Sequence, residues 1–101
     1  MNTNVAPREL SHVIELPETF NYSNHKGFRS SYTPVLADSH VREILIDFRS
    51  TTYIDSAALG MLLMLRKSAE AAGKLVALIN ATGTVREILD IAHFETLFSM
   101  R

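Results

Sequence analysis

The chain has 101 residues, 47% hydrophobic and 21% charged, enough for one compact domain with its own core. Ten Lys/Arg against eleven Asp/Glu give a net charge of −1, without the basic excess expected of a duplex nucleic-acid binder. No cysteine is present, which excludes disulfide frameworks, thiolate zinc sites, iron–sulfur clusters and a cysteine nucleophile together. Residues 1–9 are polar, lack the apolar stretch of a signal peptide and read as a flexible lead-in; residues 10–101 read as one domain. Leu10–Leu16 can form a strand that Pro17 stops, and Phe20–Ser23 a second short extended piece. Asn21 or Ser23 then caps a helix over roughly His25–Tyr32, with Phe28 and Tyr32 four apart on one face. Pro34 disfavours continuation at Thr33, so this helix is expected to be short or kinked.

Glu43–Phe48 is a continuous branched apolar run, as expected of a central strand covered on both sides, and Arg49–Tyr53 is a polar connection. Ser56–Ala72 is strongly helix-forming and meets Gly73 where a C-cap glycine belongs. Leu75–Ile79 is a second buried strand. Thr82 or Thr84 caps a last helix near Thr84–Ile91, whose apolar stripe is Val85, Ile88, Leu89 and Ala92. Phe94–Met100 closes the chain as a short strand or turn. Strand, helix, strand, helix in so short a chain implies β-α-β units with right-handed crossovers. The fold class is α/β, a single domain with a mainly parallel mixed sheet of about four strands and packed helices. The longest mostly apolar run, Ala57–Leu65, is too short to span a bilayer, so no membrane insertion is expected and the expected location is the cytoplasm.

Enzyme motifs are lacking. There is no phosphate loop, because Gly83 has no accompanying lysine, and no G-x-S-x-G elbow; the serine at the strand-to-helix turn lies in Ile54-Asp55-Ser56-Ala57-Ala58. His12, His25, His40 and His93 show no ligand spacing, so no metal, cofactor or catalytic residue is assigned. What remains is the junction Tyr53–Gly60, at the carboxyl end of a strand, where ligands and partners of open α/β sheets collect. Ser56 falls at the N-cap or first turn of the long helix. One reading is a cap, worth about 1 kcal/mol. The other is a switch: a phosphate there would meet the positive end of the helix dipole and free N–H donors. Ala58, Leu62, Leu65, Ala69 and Ala72 form the core stripe of that helix, and Arg66, Lys67 and Glu70 its solvated face. Leu59, Leu63 and Met64 make the first two turns apolar all round, so they are covered either by the domain itself or by a partner. In the second case, a phosphate of about −1.5 to −2 charges on Ser56 would sit at the edge of a hydrophobic interface and disrupt it.

Ile44 through Leu89 resembles the STAS domain, and more narrowly the bacterial anti-sigma factor antagonists. The resemblance rests on Ile44-Leu45-Ile46-Asp47, Tyr53-Ile54-Asp55-Ser56, Leu59-Gly60, Ala72-Gly73-Lys74 and Val85-Arg86-Glu87-Ile88-Leu89, and covers roughly half of the chain. It implies that Ser56 is phosphorylated by an anti-sigma factor with serine-kinase activity, that the unphosphorylated form binds this partner, and that a PP2C-type phosphatase resets the switch. The implied contact residues are Asp55, Ser56, Leu59, Gly60, Leu63 and Met64. Two departures stand out: Ala57 replaces the usual second serine, leaving Ser56 as the sole hydroxyl of the motif, and Ala58 replaces the usual glycine. Asp47 matches the strand-end aspartate of the family, in a structural or a regulatory role. Two alternatives remain: a STAS accessory subunit of a membrane transport ATPase or other complex without phosphoregulation, and a small-ligand or nucleotide-binding domain, for which the phosphate loop is missing.

Overall fold

In the computed structural model, which describes residues 10–101, the branched residues of the Glu43–Phe48 run lie in the interior of a four-stranded sheet. The elements in chain order are β1 (Leu10–Glu15), β2 (Thr19–Phe20), a 3-10 turn (Tyr22–Asn24), α1 (His25–Leu36), β3 (Val41–Asp47), β4 (Tyr53–Ile54), α2 (Ser56–Ala71), β5 (Leu75–Ile79), α3 (Gly83–Ile91), a second 3-10 turn (Phe94–Thr96) and β6 (Ser99–Met100). The lead-in expected over residues 1–9 lies outside the described residues.

The sheet runs β1-β3-β5-β6 with every described pair parallel. Each crossover steps across the sheet in the same direction, and right-handed connections therefore place α1, α2 and α3 on one face. That face carries the row Ile14, Ile46, Leu78 and Met100 in register. Ile44, Ile46, Leu62, Leu65, Leu78 and Leu89 are fully buried there, each stabilising the fold by about 1.5–3 kcal/mol of transfer free energy. Phe20, Phe28 and Tyr32 extend the core edge-on, with centroids 5.0 and 5.2 Å apart. On the opposite face Val13 and Leu75 are exposed, so the expectation of a strand covered on both sides holds only for the helical side. Among the described residues no helix is long and apolar enough to cross a membrane.

Three local expectations are corrected. First, α1 runs through Pro34 to Leu36. The proline forfeits one backbone hydrogen bond on the exposed side, while Val35 is buried and Leu36 packs on the core in the turn it would have ended. Asn21 caps the preceding 3-10 turn instead of α1: its side chain accepts from the Ser23 N–H, and the Asn24 side chain accepts from the Asn21 N–H. Second, the polar connection after β3 contains β4, which pairs in parallel with β2 (Thr19 with Tyr53, Phe20 with Ile54). Two-residue strands leave no periodic trace in a sequence. The Thr51 hydroxyl and the Thr52 N–H hold this ribbon together by donating to the Pro17 and Glu18 carbonyls, each at 2.8 Å. Third, Ala72 is an exposed C-cap and leaves the core stripe. Gly73 follows at φ +73°, a left-handed conformation that ends α2 at little cost for glycine.

Candidate functional site

The β2–β4 ribbon decides the geometry of the site, because it sets the residues after Phe20 beside those after Ile54. Asp55, in an extended conformation, is the N-cap of α2, and its Oδ1 accepts from the Ala58 N–H at 2.8 Å. Its Oδ2 accepts from the Tyr22 N–H at 3.4 Å, bridging the start of α2 to the turn that precedes α1. Ser56 is therefore a first-turn residue, and the capping alternative for it falls to Asp55. The Ser56 side chain is exposed, and no hydrogen bond of its hydroxyl is found among the described residues. Asp55→Ala is expected to lower stability by about 1 kcal/mol through loss of the cap, read from the urea midpoint; an unchanged midpoint would show that Asp55 does not hold the helix end.

Along α2 the residues separate cleanly by face. Ala58, Leu62, Leu65 and Ala69 are fully buried. Ser56, Gly60, Leu63, Met64 and Lys67, at helical spacing, form an exposed stripe on which Leu63 is 40% and Met64 59% accessible. Leu59 leaves this stripe: it is half-buried and packs against the core. Arg66, expected on the solvated face, bends back so that its Nε donates to the Leu97 carbonyl at 2.8 Å. The structure thus gathers Asp55, Ser56, Gly60, Leu63 and Met64 on one accessible surface and places Leu59 at its margin.

Asp47, at the carboxyl end of β3, is a different kind of carboxylate. It is buried, with Oδ1 accepting from the Arg49 N–H and the Asn80 amide, both at 2.9 Å, and Oδ2 accepting from Arg49 Nε at 2.9 Å. Burial pushes its pKa up, but the Asn80 amide, the Arg49 N–H and the guanidinium outweigh that and hold it below the usual carboxylate range. The Asn80 bond ties β3 to the residue that follows β5, and the two Arg49 bonds fix the turn that leaves β3, an arrangement that accounts for Asp47 as a structural carboxylate. Asn80 went unnoticed in the sequence; an asparagine ending an apolar strand was its one signal, and it adopts a left-handed φ of 62°. Tyr22 and His25, whose rings stack at 4.3 Å, also gave no signal. Among the described residues no group of three or more His, Cys, Asp or Glu is placed to hold a metal ion.

Residues 2–101 match the STAS domain family. The chain belongs to the STAS domain family. A STAS-domain containing protein of Pseudomonas aeruginosa is 39% identical to this STAS domain over 88 residues, covering 87% of this chain and 85% of that protein. Among solved structures, the fold is similar to the anti-sigma factor antagonist SpoIIAA in its unphosphorylated form (TM-score 0.70, 21% identity, 97% of this chain and 84% of that one). It is similar as well to the phosphorylated form of SpoIIAA (TM-score 0.68, 19% identity, 98% and 87%). A sulfate transporter family protein of Wolinella succinogenes is also similar (TM-score 0.68, 18% identity, 86% and 70%). At these identities the structural likenesses show a shared fold, which both regulators and transporters carry.

Proposed function

We propose that this STAS domain is an anti-sigma factor antagonist of a partner-switching circuit, a cytoplasmic binding module and kinase substrate with no catalysis of its own. Unphosphorylated, it binds an anti-sigma factor with serine-kinase activity; phosphorylated on Ser56, it lets go, and a PP2C-type phosphatase restores it. The observation that carries this reading is an exposed serine hydroxyl, not engaged in capping, at the first turn of a sixteen-residue helix and on the same face as the exposed Leu63 and Met64. A phosphate at that position gains from the free N–H groups and dipole of the helix start, so the domain tolerates it without unfolding. The same charge must be desolvated if a partner covers the apolar residues one and two turns on. SpoIIAA, whose fold is shared, exists in both forms.

The test is phosphate transfer. Incubated with the cognate anti-sigma kinase and ATP, the domain is expected to take one phosphate on Ser56, and Ser56→Ala none, by mass spectrometry of the intact chain and of its peptides. Ser56→Ala keeps the fold and the partner, because Asp55 holds the helix cap, whereas Ser56→Glu weakens partner binding by about tenfold or more. Phosphate on Ser50, Thr51 or Thr52 instead, or equal binding by all three forms, overturns the reading. The likeness to a transporter-family STAS domain favours one alternative, an accessory subunit docking through the same helix face without phosphorylation. An unphosphorylated Ser56 with Leu63-dependent binding to a transport complex would select it.

A further inference from the structure

Between α1 and α2 lies a groove of about 490 Å³ whose wall includes Ala57, the residue after Ser56. Its walls are apolar, with Phe28 and Tyr32 from α1 and Ala57, Gly60, Met61 and Met64 from α2. The Tyr22–His25 stack closes the end nearest Asp55. Two features say what it receives. The first is charge. Arg29 lines the groove, Lys26 sits one turn before it, and Lys67 lies one turn past Met64 on the exposed stripe. None of these three cations has an ion-pair partner among the described residues, and α1 contains no carboxylate at all. On α2 and at its cap, Asp55 accepts from the Ala58 and Tyr22 N–H groups and Glu70 faces Arg66 at 3.8 Å. In a chain of net charge −1 this is a local excess of positive charge around an apolar floor. The second feature is Gly60. Glycine inside a helix costs about 1 kcal/mol relative to alanine, yet a Cβ at Gly60 would meet nothing within 4 Å. The free domain gains nothing from its smallness, whereas a backbone laid in the groove could approach there closely.

We propose that this groove seats an amphipathic helix of the partner, with apolar side chains at i, i+3, i+4 and i+7 along the floor and acidic residues facing Lys26, Arg29 and Lys67. Two packed helices offer a third helix the valley between them, and the thioethers of Met61 and Met64 adapt to its side chains. The inference rests on the reading of Ser56 as a switch and deepens it: a phosphate on Ser56, next to the groove residue Ala57, repels the partner's carboxylates.

The test uses the unphosphorylated domain and a fluorescein-labelled sixteen-residue helical peptide with leucines at that spacing and glutamates beside them, together with a twin in which lysine replaces every glutamate. Anisotropy titrations at about 50 mM salt, where exposed charges are weakly screened, are expected to show the acidic peptide binding about tenfold tighter than its twin. Amide shifts in a ¹⁵N-labelled sample should centre on Phe28, Gly60 and Met64. Arg29→Glu with Lys67→Glu should reverse the preference. Gly60→Leu should raise thermal stability and still abolish binding, separating occlusion of the groove from misfolding. Equal affinity for both peptides, no saturable binding of either, shifts centred elsewhere, or stronger binding to phosphatidylglycerol vesicles than to the acidic peptide overturns the proposal. A charge preference that Ser56→Glu leaves untouched retains the groove and sinks the switch; loss of binding in Ser56→Glu without a charge preference does the reverse.

Discussion

Asp47→Ala is expected to destabilise the domain by about 3 kcal/mol, because it strands the donors that converge on a buried carboxylate. The Asn80 amide and the Arg49 N–H lose their acceptor at the junction of β3 and β5, while the Arg49 guanidinium, mostly exposed, turns to water. Asp47→Asn preserves the shape and one acceptor oxygen and should cost less, about 1–2 kcal/mol. The effect depends on pH in a defined direction. In the unfolded chain the Asp47 carboxyl takes up its proton near the ordinary value of about 3.9, and in the folded domain only at lower pH. Between those two values the unfolded state binds more protons, so stability falls as the pH falls. The contribution is complete well above pH 4 and is lost once the pH drops through the folded value. The gap between the urea midpoints of wild type and Asp47→Ala should therefore be full at neutral pH and narrow only as the pH falls below about 4. A gap that persists undiminished in acid would mean that the charge of Asp47 contributes nothing.

Leu62 and Leu63 are neighbours in sequence with opposite fates. Leu62→Ala is expected to cost about 3–4 kcal/mol, since its side chain is fully enclosed between α2 and the sheet and its removal leaves a cavity. Leu63→Ala should change stability by no more than about 0.5 kcal/mol, because that side chain is already 40% accessible. Binding should respond in the opposite sense. Leu63→Arg is expected to lower affinity for the anti-sigma partner in calorimetry, since it replaces an apolar contact with a charge that must be desolvated there, while the unfolding midpoint stays in place because in the free domain the side chain reaches into solvent. A collapse of thermal stability in Leu63→Arg would show Leu63 to be ordinary core and would remove it from the proposed interface.

By itself the sequence determined the elements with strong periodicity or sharp stops: β3, β5, the sixteen residues of α2 with Gly73 behind them, α3, and the parallel α/β class. These signals are local, set by the side-chain repeat of one element and by what the adjoining turn permits. It also isolated Ser56, since Ala57 leaves no other hydroxyl at the motif. Tertiary structure alone decided how that serine is presented. Asp55 or Ser56 could each have capped α2, and only the pairing of β2 with β4 brings the Tyr22 N–H to Asp55 and leaves the Ser56 hydroxyl unengaged. Leu59 and Leu63 are chemically identical and four residues apart, yet the fold packs the first against the core and leaves the second exposed. The continuation of α1 through Pro34 and the groove beside Met64 were equally invisible, because burial of Val35 and the approach of two helices are contacts between distant stretches, and no window along the chain contains both partners of such a contact.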